Sequence, residues 1–170
     1  RMKSLDLAKK YLGKQETAGS NDGPVLKTIR DVLLYKGAPP CSWCILFAWW
    51  ILCRAYGPTN QAEYRGWIRE ALGFPKGWLP ESCHDTYVKA LALGMISDDG
   101  RPGDIFFLLD AKGHAHHAGF KDEGTFNGGF KTVEGNSNAG GSDNGDGVYA
   151  RARKTSPCIK FLRLPDGLRA

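Results

Sequence analysis

Cys44 stands where a polar, proline-broken loop passes into a dense apolar run. We predict a buried helix over about residues 43–56. Ser42 is expected to cap this helix, because a serine hydroxyl accepts a hydrogen bond from a free backbone N–H of the first turn. The thiol would then lie at the positive end of the helix dipole, where a cysteine loses its proton more easily. Since the thiolate is the reactive form, Cys44 is the candidate nucleophile.

A nucleophilic thiol needs a base, and three histidines lie close together downstream: His114, His116 and His117. A metal site is the alternative, since His114 and His116 would point to the same side of a strand and Asp104 and Asp110 are near in sequence. A zinc site normally has three or four protein ligands at recognisable spacing, and the sequence has no second cluster to supply them. We therefore expect a base in this segment, with no metal and no cofactor.

Glu134 and Asn136 are the candidate partners of that base. Residues two apart on a strand face the same way, so the two side chains could share a face. Either could accept the far N–H of an imidazole, and a histidine base needs such a partner to fix its tautomer and stabilise its cation. The alternative is a surface glutamate followed by a loop asparagine.

The chain has five cysteines, and their disulfide state stays open: Cys41, Cys44, Cys53, Cys83 and Cys158. An odd number leaves at least one free thiol if the others pair. Cys53 is expected to be a buried small hydrophobe. A redox site formed by Cys41 and Cys44 is an alternative to a nucleophile with a histidine base, although such sites favour a βαβ setting that the order of elements here does not provide.

The first half of the chain is predicted to be helical, over about residues 5–12, 24–36, 43–56, 63–72 and 82–93. The third of these helices is apolar nearly all round, which is typical of a central buried helix. The apolar face expected for the second helix consists of Val25, Ile29, Val32 and Leu33.

After Gly100 the pattern changes to strands, predicted over residues 104–109, 116–120, 130–134, 148–153 and 159–164. A long loop rich in Gly, Asn and Ser is predicted for residues 135–147. Helices followed by successive strands indicate an α+β fold, with the N-terminal helices packed on a C-terminal antiparallel sheet.

The chain has 170 residues and a formal charge of +5. This length suits one domain over residues 1–170. The longest apolar run, residues 43–53, is shorter than the about 20 residues that cross a bilayer, and the first seven residues do not form a signal peptide. No nucleic-acid motif occurs. Arg151, Arg153 and Lys154 are interpreted as one solvated strand face, or else as attraction for an anionic envelope polymer.

Four motifs occur in order along the chain. They are Pro-x-x-Trp-Cys-x-x-Phe-x-x-Trp around Cys44, Pro-Gly-Asp-Ile-Phe-Phe from Pro102, His-Ala-Gly from His117, and Val-Glu-Gly-Asn from Val133, followed by Gly147-Val148 and Arg151. Together they resemble the CHAP family, the cysteine, histidine-dependent amidohydrolases/peptidases of bacterial and phage cell-wall enzymes. The resemblance covers residues 5–164.

The resemblance implies a papain-like core with the nucleophile at the N-terminus of a buried helix. Cys44 matches the nucleophile, His117 the base, Glu134 the acid that orients the base, and Asn136 a polar group that accompanies it. Some members bind calcium through acidic residues just before the nucleophile, but residues 35–43 contain none, so no calcium is expected.

The function implied is hydrolysis of an amide bond in the stem or cross-link peptide of peptidoglycan, by a monomer that acts on the bacterial cell wall. The partners expected are this peptide substrate and, on the second interpretation of the basic residues, anionic envelope polymers; no nucleic-acid partner and no transmembrane segment are expected. The sequence does not separate an amidase from an endopeptidase, nor a phage lysin from an autolysin or a secreted toxin. A catalytically inactive wall-binding module with the same fold is the alternative from another class.

Overall fold

The computed structural model describes residues 3–17, 21–138, 140 and 145–168. These residues form five α-helices, namely α1 (Lys3–Lys9), α2 (Pro24–Leu33), α3 (Cys44–Tyr56), α4 (Tyr64–Leu72) and α5 (Cys83–Ala92). They also form six strands, namely β1 (Ile96–Ser97), β2 (Ile105–Leu109), β3 (Ala115–Phe126), β4 (Gly129–Ser137), β5 (Gly147–Lys154) and β6 (Ile159–Leu162). The strands make one antiparallel sheet in the order β1-β6-β2-β3-β4-β5. The predicted α+β class is confirmed.

The prediction of a central buried helix is also confirmed. Every residue of α3 from Cys44 to Cys53 is buried, and the helix packs against α1, α2, α4, β3 and β4. Full burial of one large apolar side chain such as Phe47 stabilises the fold by about 1.5–3 kcal/mol. This helix therefore anchors the helical layer on the sheet, and its first residue is held at a defined place. None of the helices within the described ranges has both the length and the apolar character that crossing a membrane requires.

Helix α2 is rotated relative to the expected apolar face. Val25 is 46% exposed, whereas the buried residues of α2 are Leu26, Ile29, Arg30 and Leu33. The guanidinium of Arg30 is satisfied inside the protein, because it donates to the Asp22 carboxylate at 2.6 Å and to the carbonyl oxygen of Ala38 at 3.3 Å. The apolar pattern of α2 assigned Arg30 to the solvent side. Instead, Arg30 connects the segment before the helix, through Asp22, with the segment after it, through Ala38.

The sheet is covered by apolar side chains on both faces. Along β2, Ile105 and Phe107 enter the main core with the helices, while Phe106 contributes to a second cluster on the other face. This alternation follows from the period of two along a strand. The second cluster consists of Phe106, Phe130, Ile159 and Phe161, with Leu108 packed against it.

The predicted strands are found, but their ends differ. β4 continues to Ser137, so the loop expected from residue 135 is wrong for residues 135–137, while residues 139 and 141–144 of that loop lie outside the described residues. Glycine and asparagine are weak strand formers, and here the strand continues past Gly135 and Asn136 because Ser137 pairs again with Gly147 of β5. The two-residue β1, which pairs with β6, was not predicted.

Candidate active site

Cys44 is the first residue of α3, as predicted, but Ser42 does not cap the helix. The N-cap is Trp43, which makes no side-chain capping bond, and Ser42 is exposed. The first N–H groups of a helix have no partner within the helix, so other groups must meet them. The Cys44 side chain is 2% exposed and therefore lies in a site from which bulk water is largely excluded.

A second cysteine meets this helix end. Cys83 is the first residue of α5, whose start is capped by the Ser82 hydroxyl as acceptor for the Asp85 N–H at 3.0 Å. The sulfur atoms of Cys83 and Cys44 are 3.5 Å apart, and the Cys83 sulfur also accepts a bond from the Ile45 backbone N–H. The Cys83 sulfur thus accepts a hydrogen bond from the first turn of α3, the role expected of the Ser42 hydroxyl. The N-termini of α3 and α5 are in contact through the sulfurs of Cys44 and Cys83.

His117 and Glu134 meet at the end of the β3–β4 ladder. The paired region of these strands begins at Phe120 and Val133, so His117 lies just before it and Glu134 just after it. The His117 Nε2 and the Glu134 Oε2 are 2.9 Å apart, and both side chains are fully buried. Of the two partners that the sequence left open, the structure gives this bond to Glu134.

Asn136 lies close in sequence, but the expected alternation does not extend to it. Its φ is 55°, in the left-handed region, and the β4–β5 register shifts between Glu134 and Ser137. Asparagine tolerates this conformation better than most residues. Regular alternation therefore does not place Asn136, which is fully buried, and its suggested role beside His117 stays a prediction.

Glu134 is held by two further groups. Arg153 binds it in a bidentate manner, with Nε 2.9 Å from Oε1 and Nη2 2.6 Å from Oε2, and the Thr132 hydroxyl donates to Oε1 at 2.6 Å. Burial alone would raise the pKa of Glu134, but the hydrogen bonds from Arg153 and His117 and their charges lower it to about 2. A carboxylate with this many donors is fixed in place and ionised.

Arg153 does not belong to a solvated strand face. Its side chain is only 17% exposed and is committed to Glu134. Along β5, Arg151 and Arg153 lie on one side and are partly buried, whereas Lys154 lies on the other side and is exposed. The interpretation of these three residues as one solvated face is therefore wrong.

The pKa of the Cys44 thiol is lowered well below its usual range. The largest cause is the hydrogen bond with Cys83; burial opposes it, and hydrogen bonding to His117, the charge of His117 and the Ala118 backbone N–H lower the pKa further. The pKa of Cys83 is raised, because that thiol donates to Cys44 and is buried beside its negative charge. The opposite directions of the two shifts favour a thiolate on Cys44 and a thiol on Cys83.

The pKa of His117 is raised to about 10. Burial would lower it, but hydrogen bonding to Cys44 and Glu134 and the charges of both outweigh burial. Nδ1, the ring nitrogen not bonded to Glu134, is buried and makes no hydrogen bond of ordinary geometry with a protein group. Catalytic hydrogen bonds are often long or poorly aligned before substrate binds and tighten in the complex. The site at neutral pH is thus a row of alternating charges, from the Cys44 thiolate through His117 and Glu134 to Arg153.

Two glycines allow the elements of the site to approach. A Cβ on Gly119 would lie 2.9 Å from the Glu134 Cγ and 2.9 Å from the Phe106 Cε1. A Cβ on Gly135 would lie 2.7 Å from the ring of Trp43 and 2.8 Å from the Phe47 Cβ. The start of α3 rests directly on the backbone of β4, which explains why glycine follows Glu134 in the sequence.

We expect Gly119→Ala to displace Glu134 and to lower the free energy of unfolding by about 1–3 kcal/mol, the usual cost of overpacking. Urea unfolding measures this change. Gly66→Ala in α4 is the matched control, because nothing lies within 4 Å of its added Cβ. That control should be neutral or stabilising by up to about 1 kcal/mol, since alanine favours a helix over glycine. Equal effects of the two substitutions would contradict the packing described for Gly119.

The other histidines of the cluster lie apart from this site. The rings of His114 and His84 are 4.6 Å apart, and His116 is exposed. Asp110 accepts bonds from the backbone N–H groups of Lys112 and His114 and closes the β2–β3 turn. Within residues 3–17, 21–138, 140 and 145–168, no group of three or more His, Cys, Asp or Glu side chains is arranged to hold a metal ion.

Comparison with known proteins gives no match, whether with protein-family models, with curated proteins or with solved structures. The resemblance of the sequence to the CHAP family therefore stays a prediction.

Sequence reasoning missed Cys83, Thr132 and Arg153. The Ser82 cap could have placed Cys83 at a second helix start, like Cys44. The spacing of Thr132 and Glu134 on one strand could have indicated their bond. Nothing local indicates that Arg153 reaches Glu134, because that contact depends on how β4 pairs with β5.

Proposed function

We propose that this protein is a cysteine-dependent hydrolase of amide bonds. The observation that supports this best is a buried thiol, Cys44 at the start of α3, whose pKa is lowered by Cys83 and by His117, together with the Glu134 carboxylate 2.9 Å from the His117 ring. This is the arrangement of nucleophile, base and orienting group that acyl transfer requires. The elements it needs come from both layers of the fold.

The first half of the reaction forms an acyl-enzyme. The Cys44 thiolate attacks the carbonyl carbon of the amide, and the oxygen becomes an oxyanion. The Cys44 backbone N–H, which as the first N–H of α3 has no partner within the helix, stabilises that charge together with the helix dipole. His117 then gives its proton to the leaving nitrogen, the C–N bond breaks, and the amine departs.

The second half regenerates the enzyme. His117, now neutral, removes a proton from water, and the hydroxide attacks the thioester carbonyl. The C–S bond breaks, the acid product leaves, and Cys44 returns as the thiolate beside protonated His117. Glu134 keeps the imidazole in register through both halves, and Arg153 and Thr132 keep Glu134 in register. Because Cys44 and His117 are buried, the residues that cover them must move for a peptide to enter.

The substrate that we propose is the stem or cross-link peptide of bacterial peptidoglycan, with a papain-like arrangement of CHAP type and action at the cell wall. This part rests on the order of motifs around Cys44, His117 and Glu134 in the sequence. The alternative is an inactive wall-binding module. It is less favoured, because burying charged groups such as Glu134 and His117 costs free energy and a module that only binds does not need them.

Digestion of purified sacculi tests the proposal. The wild-type protein should release soluble fragments, and mass spectrometry of them should show a newly freed amine at one amide position. A free N-terminus of the first stem residue with bare glycan strands identifies an amidase, whereas shortened peptides still attached to glycan identify an endopeptidase. Binding to sacculi without any released fragment would reject hydrolysis and favour the wall-binding module.

The rate at which iodoacetamide alkylates Cys44 should change little as the pH falls from neutral to mildly acidic, because the thiolate is already formed there and access to the buried sulfur limits the rate at both pH values. Cys41 and Cys53 should not react under these conditions, since burial raises the pKa of each thiol. The measurement is the labelled fraction of each cysteine by mass spectrometry in a Cys158→Ser background, which removes the exposed thiol. Preferential labelling of Cys41 or Cys53 would contradict the charge distribution of the site.

The rate of hydrolysis should fall as the pH rises through about 10, because His117 then loses the proton that it gives to the leaving amine. The same group affects stability. Since the pKa of His117 is raised from 6.5 to about 10, its contribution to the free energy of unfolding is complete below pH 6.5 and is lost as the pH approaches 10. A pH profile of turnover, together with urea unfolding at neutral pH and at pH near 10, checks both parts.

A further inference from the structure

Acyl transfer does not use the Cys83 thiol. Cys83 nevertheless lies with its sulfur 3.5 Å from the sulfur of Cys44, and both side chains are buried, with exposures of 7% and 2%. The two residues are 39 positions apart in the sequence and begin two different helices, α5 and α3. Two rigid elements therefore hold a pair of thiols in direct contact at the nucleophile.

The two sulfurs are chemically unequal. The pKa of Cys44 is lowered by Cys83, by His117 and by the Ala118 backbone N–H, whereas the pKa of Cys83 is raised, so the thiolate is favoured on Cys44. The Ile45 N–H donates to the Cys83 sulfur, and that sulfur also lies within hydrogen-bond distance of the Cys44 sulfur. A reactive thiolate beside a protonated thiol is the arrangement in which one cysteine is oxidised and the other resolves the product as a disulfide.

We propose that Cys44 and Cys83 form a redox-active pair, which a hydroperoxide converts into a disulfide that closes the nucleophile. The Cys44 thiolate attacks one peroxide oxygen, the O–O bond breaks, and the departing oxygen takes a proton from His117. Cys44 is then a sulfenic acid. Cys83 loses its proton and attacks the Cys44 sulfur, the S–S bond forms, the S–O bond breaks, and water leaves. An external dithiol reduces the disulfide and restores both thiols.

The distance to be closed is small. A disulfide places its sulfurs about 2.0 Å apart, so the present contact must shorten by about 1.5 Å. Rotation of the two side chains with a slight shift of one helix start achieves this. Cys41, which the sequence suggested as the redox partner in Cys41-x-x-Cys44, is half-buried and lies outside the helix, and the sulfur in contact with Cys44 is that of Cys83.

The test is treatment of the reduced full chain with stoichiometric hydrogen peroxide, followed by tryptic mapping without reductant. Trypsin yields the segments 37–54, which contains Cys41, Cys44 and Cys53, and 77–89, which contains Cys83. We expect these segments to become linked, with loss of two of the five free thiols and recovery of both after dithiothreitol. The link should persist in a Cys41→Ser/Cys53→Ser variant, which leaves Cys44 as the only cysteine of the first segment.

Cys83→Ser is the matched variant, because it keeps a small polar side chain at the start of α5. It should accumulate the sulfenic acid of Cys44, trapped by dimedone, and should not recover from excess peroxide. Segment 37–54 lacking two hydrogens while 77–89 stays free would show a partner within the first segment and overturn the proposal. Oxidation of wild-type Cys44 to sulfinic acid without any disulfide would overturn it as well. Disulfide formation requires no hydrolase activity, so either result leaves the proposed function to its own test on sacculi.

Discussion

Cys44→Ala is expected to lower the rate of amide hydrolysis by about 10⁴–10⁶-fold, the loss seen when a covalent nucleophile is removed from an enzyme of this kind. The thiolate is the group that forms the acyl-enzyme, and no neighbouring atom can replace it. In this variant Cys83 no longer has Cys44 beside it, but burial still raises the pKa of its thiol and its sulfur lies at the start of α5 rather than α3, so it is not a substitute nucleophile. Release of soluble fragments from purified sacculi measures this loss.

Cys53→Ala is the control for Cys44→Ala. Cys53 lies on the same helix, is equally buried, and its thiol donates to the carbonyl oxygen of Tyr64 at 3.8 Å. Both substitutions remove one buried sulfur, so their effects on the free energy of unfolding should be comparable. Only Cys44→Ala should remove activity. Full activity of the Cys44→Ala protein would disprove the cysteine mechanism, and equal loss in both variants would point to damage of the core.

Glu134→Gln is expected to affect both activity and stability. Replacing an orienting carboxylate by its amide lowers turnover by about 10⁴-fold in a measured case, because the imidazole then takes the wrong tautomer. The substitution also leaves Arg153 largely buried without its carboxylate, and breaking such a pair costs about 3–5 kcal/mol. Turnover on sacculi and urea unfolding at neutral pH measure the two effects.

The pH dependence separates a charge effect from a packing effect at Glu134. The pKa of this carboxyl is lowered from 4.5 to about 2, so its stabilising contribution is present above pH 4.5 and is lost as the pH falls towards 2. The difference in unfolding free energy between wild type and Glu134→Gln should therefore shrink over that range. A difference that stays constant would indicate packing instead. Glu123→Gln, an exposed change on β3, should alter stability by less than about 0.5 kcal/mol throughout.

The helices were predictable because their causes are local. The apolar run of α3, the proline that begins α2 and the glycine after α5 act on neighbouring residues, and they place these elements to within a few residues. The orientation of α2, in contrast, could not be predicted from neighbouring residues. Which side of it faces inward depends on where Arg30 finds acceptors, and those belong to other segments.

The strands were predictable as apolar segments but not as a sheet. The continuation of β4 through Gly135 depends on pairing with β5 and on the approach of α3, and the sequence of β4 records neither. β1 exists only as a partner of β6. Pairing between distant segments decides such features, and the preference of a residue for strand structure depends on that context.

The sequence by itself determined the α+β class, the burial of α3 and the position of Cys44 at its start. These features depend on the hydrophobic pattern of residues that are close together in the chain. The sequence also indicated Cys44, His117 and Glu134 as candidates. Only the tertiary structure decided that Glu134 bonds the His117 Nε2, that Arg153 and Cys83 complete the site, and in which direction the pKa of each of its groups is shifted. The reason is physical: hydrogen bonds, charges and burial at the site are set by groups that lie 39 residues apart for the two sulfurs and 19 for the Glu134–Arg153 pair, and folding alone brings them into contact.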